Sequence, residues 1–169
     1  SSIYFVVDGV SCIGAVDVDL DRDYIDVLVS GSQKAIMLPP GLGFVAYNNR
    51  AKERFNEVVT PRFYLDLNKY LSSQEQNSTP FTPNVALFRG VNAYVELVKH
   101  EGLNNVIKRH YSIRNALRTA LKSLDLELLV KDDSYASPTV TSFVPKDKEE
   151  LTYLKDQLKS RFNITIAGV

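Results

Sequence analysis

Hydrophobic and polar positions alternate along this chain in blocks that change character about two-thirds of the way through. Ile3–Val7 is a β-branched and aromatic run with no charged interruption, and Ile25–Val29, apolar but for Asp26, is a second. Gly43–Tyr47 is a third, introduced by the breaker cluster Pro39-Pro40-Gly41. Runs of this kind predict strands buried on both faces, hence a mostly parallel sheet with layers on each side. Asn49–Asn56 predicts a helix or a turn of one, and Gln74–Pro83 a polar, proline-containing loop. From Val85 the spacing of Leu87, Phe88, Val91, Val95 and Val98 predicts a helix that ends near His100, with Gly102 just beyond as a C-cap. Leu103–Leu124 carries Val106, Ile107, His110, Ile113, Leu117 and Leu121 at intervals of three and four, the signature of a long amphipathic helix. Its other face, with Lys108, Arg109, Arg114, Arg118 and Lys122, reads as solvated.

The tail has a different order. Leu126–Val130 and Thr139–Phe143 predict two more strands. Asp147–Phe162 predicts a helix opened by Asp147 as N-cap with Glu150 at N3, and Ile164–Ala167 starts a last strand. The switch to a β-β-α-β order places a boundary near Glu101–Leu103.

Composition narrows the function classes. Lys and Arg together number 20 and Asp and Glu together 20, so no net charge favours nucleic acid or an anionic membrane as partner. No apolar stretch approaches the roughly 20 residues of a membrane helix, and the first residues lack the basic region and the small-residue cleavage pattern of a signal peptide. Cys12 is the single cysteine, which rules out an internal disulfide and fits a reducing cytoplasm. His100 and His110 fall in helical stretches and form no multi-histidine metal site, so no metal is expected.

The chemistry concentrates in Ser30-Gly31-Ser32-Gln33-Lys34-Ala35 and the apolar, proline-fixed loop that follows. A lysine directly after a buried strand, in a small-residue turn, is poorly explained by packing, because an ammonium is costly to bury unpaired. In a partly dry pocket it becomes an amine nucleophile toward carbonyl carbon. Alone, a lysine so placed also suits a snorkelling surface residue, and Asp8 alone suits a turn cap. Together they say more. Asp8 ends the first run and Lys34 follows the second. If these strands are neighbours, their ends lie about 5–10 Å apart, where parallel sheets bind ligands.

Val7-Asp8-Gly9-Val10-Ser11-Cys12-Ile13-Gly14, the Ser-Gly-Ser-Gln-Lys-Ala turn and Pro39-Pro40-Gly41-Leu42 together resemble the class V aminotransferases, within them the alanine–glyoxylate/serine–pyruvate branch. Phe63-Tyr64-Leu65-Asp66-Leu67, Thr79-Pro80-Phe81-Thr82-Pro83-Asn84-Val85, Glu101-Gly102-Leu103 and Pro138-Thr139-Val140-Thr141 match the same family in order, from Ile3 to Gly168. The resemblance implies an α/β fold of the pyridoxal-phosphate-dependent transferase kind. Residues 1–101 would form part of its aspartate aminotransferase-like large domain, with a mostly parallel sheet. Residues 102–169 would start the smaller α+β C-terminal domain. It implies pyridoxal 5′-phosphate as cofactor, bound as a Schiff base on Lys34, which would also move protons. Asp8 would partner the pyridine nitrogen, Val10 would pack on the ring face, and Gln33 would hydrogen-bond near the phosphate. Thr82 would reach the phosphate of the neighbouring subunit in a homodimer with shared active sites. Where the family often has tyrosine three residues before that threonine, this chain has Thr79.

The implied reaction moves an amino group from a small amino acid of the alanine, serine or aspartate type to a 2-oxo acid such as glyoxylate or pyruvate. The family extends upstream of Ser1 and beyond Val169, where the phosphate turn, the ring-stacking aromatic and the substrate-carboxylate arginine would lie. The chain is thus expected to be a fragment without activity of its own, serving in isolation as a folding or dimerisation module. A cysteine desulfurase or selenocysteine lyase shares the fold, but those usually place histidine where Gln33 stands and use a cysteine downstream of the lysine, which this chain lacks.

Overall fold

The computed structural model describes residues 3–168. The elements run β1 (Val6–Asp8), β2 (Val27–Gly31), β3 (Gly43–Tyr47), α1 (Asn49–Glu57), α2 (Leu67–Glu75), α3 (Val85–Glu101), α4 (Leu103–Ser123), β4 (Glu127–Leu128), β5 (Phe143–Val144) and α5 (Lys148–Phe162). Packing divides the chain into two compact units, the first ending at His110 and the second beginning at Tyr111, so the division falls inside α4.

In the first unit the sheet order is β1-β2-β3. β1 and β2 are parallel, with Val6 opposite Val27, Val7 opposite Leu28 and Asp8 opposite Val29. β3 runs antiparallel to β2, from Val27 opposite Tyr47 to Gly31 opposite Gly43. The expectation of a mostly parallel sheet therefore holds for one of the two pairings seen. The reason lies in the connections. A parallel return needs a crossover long enough to carry a helix, whereas residues 32–42 form only a tight loop that reverses the chain. The strands are also less covered than their apolar runs suggest. Leu28 is buried, but Phe5, just before β1, and Val6 within it stand 54% and 60% exposed, at the edge of the three-stranded sheet.

The far end of the sheet is fastened by a polar cluster. Buried Asp26 accepts hydrogen bonds from the Phe5 amide at 2.8 Å, the Asn48 side-chain amide at 2.8 Å and Arg50 Nε at 2.9 Å. Asn48 also caps α1, its Oδ1 accepting the Ala51 N–H. One carboxylate thus ties the entry to β1, the entry to β2 and the start of α1.

α2 was not expected from the apolar pattern, although its signals are present. Asp66 caps it by accepting the Asn68 N–H, and Leu67, Tyr70 and Leu71 follow at helical spacing. α3 closes at Gly102, whose N–H reaches the Val98 carbonyl at 2.8 Å, as the sequence predicts.

The second unit corrects three expectations. The basic face of α4 is not uniformly solvated: Arg114 and Arg118 are buried, at 9% and 2% exposure. Arg114 Nη1 donates to the Ala136 carbonyl, Arg118 Nη2 to the Val130 carbonyl and Arg118 Nε to Asp133 Oδ1, each at 2.7 Å. These guanidinium groups supply donors to backbone carbonyls that a longer ladder would otherwise satisfy. β4 and β5 accordingly pair over only Glu127–Leu128 and Phe143–Val144. At the tail, Asp147 accepts the Glu150 N–H at 2.7 Å, as the capping motif predicts, while Glu150 Oε2 takes the N–H of Lys146, one residue before the cap, rather than that of Asp147 itself. Ile164–Ala167 runs on without strand pairing, against expectation, after the left-handed cap at Asn163. Among the described residues no helix is long and apolar enough to cross a membrane.

Candidate active site

The sheet register brings the two ends of interest together. Asp8 closes β1 directly opposite Val29 of β2, and the chain leaves β2 through Ser30-Gly31-Ser32 into Gln33-Lys34. Neighbouring strands lie about 4.8 Å apart, so Asp8 and the lysine turn share the carboxyl end of a parallel pair, the place where α/β sheets bind ligands.

The turn after β1 is built on Asp8. Its Oδ1 accepts the Val10 N–H at 2.9 Å, the Gly9 N–H reaches the Val29 carbonyl at 2.7 Å, and Cys12 and Ile13 donate back to the Gly9 carbonyl. Asp8 is thus a turn cap through one oxygen, while its other oxygen has no hydrogen-bond partner among the described residues. The Cys12 thiol, half-buried in the same turn, is pushed up from its ordinary range by burial and then by the charge of Asp8. Gly14 sits at φ +94°, and a Cβ there would lie 2.6 Å from the Tyr94 hydroxyl of α3, so both conformation and space call for glycine.

The second turn is pinned from inside. Ser32 is wholly enclosed, yet Gln33 and Lys34 beside it are exposed. The Lys34 carbonyl accepts the Met37 N–H at 2.8 Å, and its ammonium forms no ion pair among the described residues. Ser30 Oγ donates to the Gly9 carbonyl at 3.4 Å, linking the two turns. α3 packs on the loop after Lys34. A Cβ at Gly41, which adopts φ +142°, would meet Leu87 Cδ1 at 2.7 Å, and one at Gly90 would meet Leu38 Cδ2 at 2.8 Å. Both contacts are to the methyl ends of leucine side chains, so it is the φ of Gly41 that calls for glycine there.

Of the residues singled out from sequence, Asp8, Val10, Gln33 and Lys34 gather at these two turns. Asp8, Gln33 and Lys34 are exposed and Val10 half-buried. Thr82 stands apart, two residues before Asn84, whose Oδ1 caps α3 by accepting the Leu87 N–H. No hydrogen bond joins Thr82 to the lysine turn among the described residues. Thr79, in the tyrosine-like position, turns its hydroxyl onto the Phe81 carbonyl at 2.9 Å. Ser32 and Tyr94 were not anticipated; a small polar residue between a strand end and a lysine was the available signal for the first. No group of three or more His, Cys, Asp or Glu residues suited to a metal occurs among the described residues.

The profile of the family described as aminotransferase class-V matches residues 1–168. The chain belongs to the class-V aminotransferases. An L-aspartate–glyoxylate aminotransferase from Paracoccus denitrificans is 38% identical over 141 residues, covering 83% of this chain and 36% of that protein. A protein named soluble hydrogenase, small subunit, from Synechococcus sp. is 41% identical over 163 residues, covering 96% of this chain and 42% of its own length. Among solved structures, alanine–glyoxylate aminotransferase from Nostoc sp. superposes with a TM-score of 0.87 at 27% identity, over 98% of this chain and 44% of that one. The chain therefore spans less than half the length of each of these three relatives. Its fold is that of the pyridoxal-phosphate-dependent aminotransferases, in the part that carries the lysine turn.

The donor set fits the ring end of that cofactor. A carboxylate oxygen left open at Asp8 suits a protonated ring nitrogen, and an unpaired amine at Lys34 suits an aldehyde carbon. The half-buried Val10, bonded through its N–H to Asp8, offers an apolar surface beside the carboxylate.

Proposed function

We propose that this chain supplies the cofactor-anchoring part of an aminotransferase, with Lys34 as its covalent anchor and proton carrier. What supports this reading is one juxtaposition: an open carboxylate oxygen and an unpaired amine at adjacent carboxyl ends of β1 and β2, in a class-V chain. Pyridoxal phosphate, when bound, supplies an electron sink that the protein lacks. The protein's own residues do the rest. Asp8 holds the proton on the ring nitrogen, which keeps that sink effective. Lys34 attaches the cofactor through its amine and carries a proton between the substrate α-carbon and the cofactor's C4′ atom. Val10 packs on the ring, and Gln33 bonds near the phosphate. Residues 1–101 belong in this reading to the large domain and 102–169 to the small one.

The substrates are a small amino acid of the alanine, serine or aspartate type and a 2-oxo acid such as glyoxylate or pyruvate. The names of the relatives support the acceptor: L-aspartate–glyoxylate, serine–glyoxylate and alanine–glyoxylate aminotransferases all match this chain. The hydrogenase name of the Synechococcus relative describes that protein; no residue cluster described here favours carrying it over. The assembly is a homodimer in which Thr82 reaches the phosphate held by the partner. Exposed Phe63 and Tyr64 pack with Phe81 next to Thr82, with ring centroids 5.6 and 4.9 Å away, an apolar surface suited to an interface. The single cysteine supports a reducing compartment such as the cytoplasm.

The experiment uses the whole protein that contains this chain. Borohydride reduction in the presence of pyridoxal phosphate, followed by peptide mapping, is expected to place the pyridoxyl group on Lys34. A label on another lysine with none on Lys34 overturns the assignment. Mixing a Lys34-null subunit with a Thr82-null subunit then tests the shared site: partial recovery of activity is expected, and none means each site is built from one chain.

A further inference from the structure

We infer that Ser32 is a positioning residue for Lys34, aiming its amine by closing the loop that carries it. The inference rests on the reading of Lys34 given above and extends it to a residue whose side chain is wholly enclosed. Ser32 is completely enclosed, while Gln33 and Lys34, its immediate successors, are exposed. The chain passes from interior to surface across a single peptide, so whatever fixes Ser32 fixes the root of the lysine.

Four hydrogen bonds fix it: its N–H to the Leu42 carbonyl at 3.1 Å, its carbonyl from the Leu38 N–H at 3.0 Å, its Oγ to the Pro39 carbonyl at 2.7 Å, and its Oγ from the Leu42 N–H at 3.3 Å. The hydroxyl donates to one residue of the returning chain and accepts from another, so its one donor and one of its acceptor sites are engaged. Residues 33–41 become a closed loop with Ser32 as the knot. Ser30 Oγ ties the strand just before it to the Gly9 carbonyl, in the turn capped by Asp8. The root of Lys34 is thereby held relative to the carboxylate it must work with.

Filling space does not explain the hydroxyl, because alanine would fill nearly the same volume. Neither do the backbone bonds, which alanine would keep. What the hydroxyl adds is its pair of bonds to Pro39 and Leu42, on the opposite limb of the loop from Lys34. A lysine side chain is long and flexible, so its reach is set by where its Cα is held. A shift of about 1 Å in a reacting group costs on the order of 100-fold in rate.

The test compares Ser32→Ala, Ser32→Cys and Lys34→Ala in the whole protein. Cysteine keeps the shape of serine with a somewhat larger atom and bonds weakly, so it fills the site while loosening the knot. For Ser32→Ala the cofactor is expected to stay covalently bound at Lys34 with near wild-type stoichiometry. The single-turnover rate with an amino donor is expected to fall ~10- to 100-fold. The pH midpoint of the absorbance band of the Lys34–cofactor bond is expected to move. A residue that only supports the fold would lower the melting temperature and leave that midpoint where it was. Ser32→Cys is expected to change in the same direction by less, and it decides the matter if Ser32→Ala does not fold. Wild-type midpoint and single-turnover rate in the variants that fold overturn the inference. Lys34→Ala separates the two levels: if it retains the covalent bond, the parent reading fails; if it loses the bond while the Ser32 variants behave as wild type, this inference alone fails.

Discussion

Two stretches of this chain are held by buried polar side chains, and they are held differently. In the first unit the 33–41 loop closes on a neutral hydroxyl, Ser32, and leaves an unpaired amine exposed beside it. In the second unit the segment after β4 closes on two guanidinium groups, Arg114 and Arg118, whose donors go to backbone carbonyls and to Asp133. There the charge is consumed by the architecture. At the first site the structural work falls to a group without charge, and the ionisable side chains Lys34 and Asp8 are left with capacity to spare. A buried cation needs partners to offset its desolvation, so it is already committed; a reactive amine must not be.

The comparison breaks most severely at Asp8. Asp8→Asn in the whole protein is expected to retain cofactor but to lower transamination by several powers of ten, because an amide holds no proton on the ring nitrogen and the electron sink weakens. Stability is expected to change little, since asparagine can still accept the Val10 N–H through its side-chain oxygen. Steady-state rates and a melting curve on the same preparation check both halves. A near wild-type rate would make Asp8 a turn cap and nothing more.

Much of this arrangement was legible before the fold was known, wherever the signal is local. β3 runs over Gly43–Tyr47 as its apolar run predicts, and Gly102 and Asp147 end and begin helices as capping chemistry requires. Signals that depend on a distant partner were not legible. The run Gly43–Tyr47 contains nothing that states its direction, so β3 appeared as one more parallel strand. Five-residue runs at Leu126–Val130 and Thr139–Phe143 give two-residue strands, because pairing is set by what lies opposite. Helical spacing puts Arg114 and Arg118 on the polar face of α4, but their burial depends on carbonyls twelve and more positions away, with separations of 12 and 22.

The candidate site divides the same way. Lys34 and Asp8 announce themselves by type and by their positions after apolar runs. That they share one end of the sheet follows only from the pairing of Asp8 with Val29. Ser32 announces nothing, because its hydroxyl matters through Pro39 and Leu42, which the sequence places across a loop of unknown closure.

On the architectural side, Arg118→Ala is expected to destabilise the second unit by ~2–4 kcal/mol. The substitution removes a nearly buried side chain, its bonds to the Val130 carbonyl and to Asp133, and the packing of its stem. Asp133 is about half exposed and keeps Lys122, so little of the loss comes from a stranded carboxylate. Denaturant unfolding followed from a reporter in the second unit measures it. A change under ~0.5 kcal/mol, the size of an ordinary surface substitution, would return Arg118 to the solvated face that its spacing suggests.

The smallest effect is one whose dependence on charge shows only in acid. Asp26 is the first unit's counterpart of a committed charge, and hydrogen bonds from Arg50, then from the Phe5 amide and Asn48, hold its carboxyl well below the usual carboxylate range. A carboxyl that ionises more readily when folded than when unfolded releases its proton on folding. Its contribution is therefore complete above the unfolded value, near 4, and is lost as the pH falls toward the folded one. Other carboxyls act in the same direction, among them Asp23, held at about 2 by Arg22, and Glu101, lowered by Arg109. The melting temperature is thus expected to fall through the acid range for several reasons at once. Asp26→Asn separates its share: the variant should be less stable than wild type at pH 7, and the gap should narrow as pH drops below 4. Parallel melting curves that keep a constant gap down to the lowest accessible pH would show that the Asp26 cluster holds the strand entries by geometry alone, with no dependence on its charge.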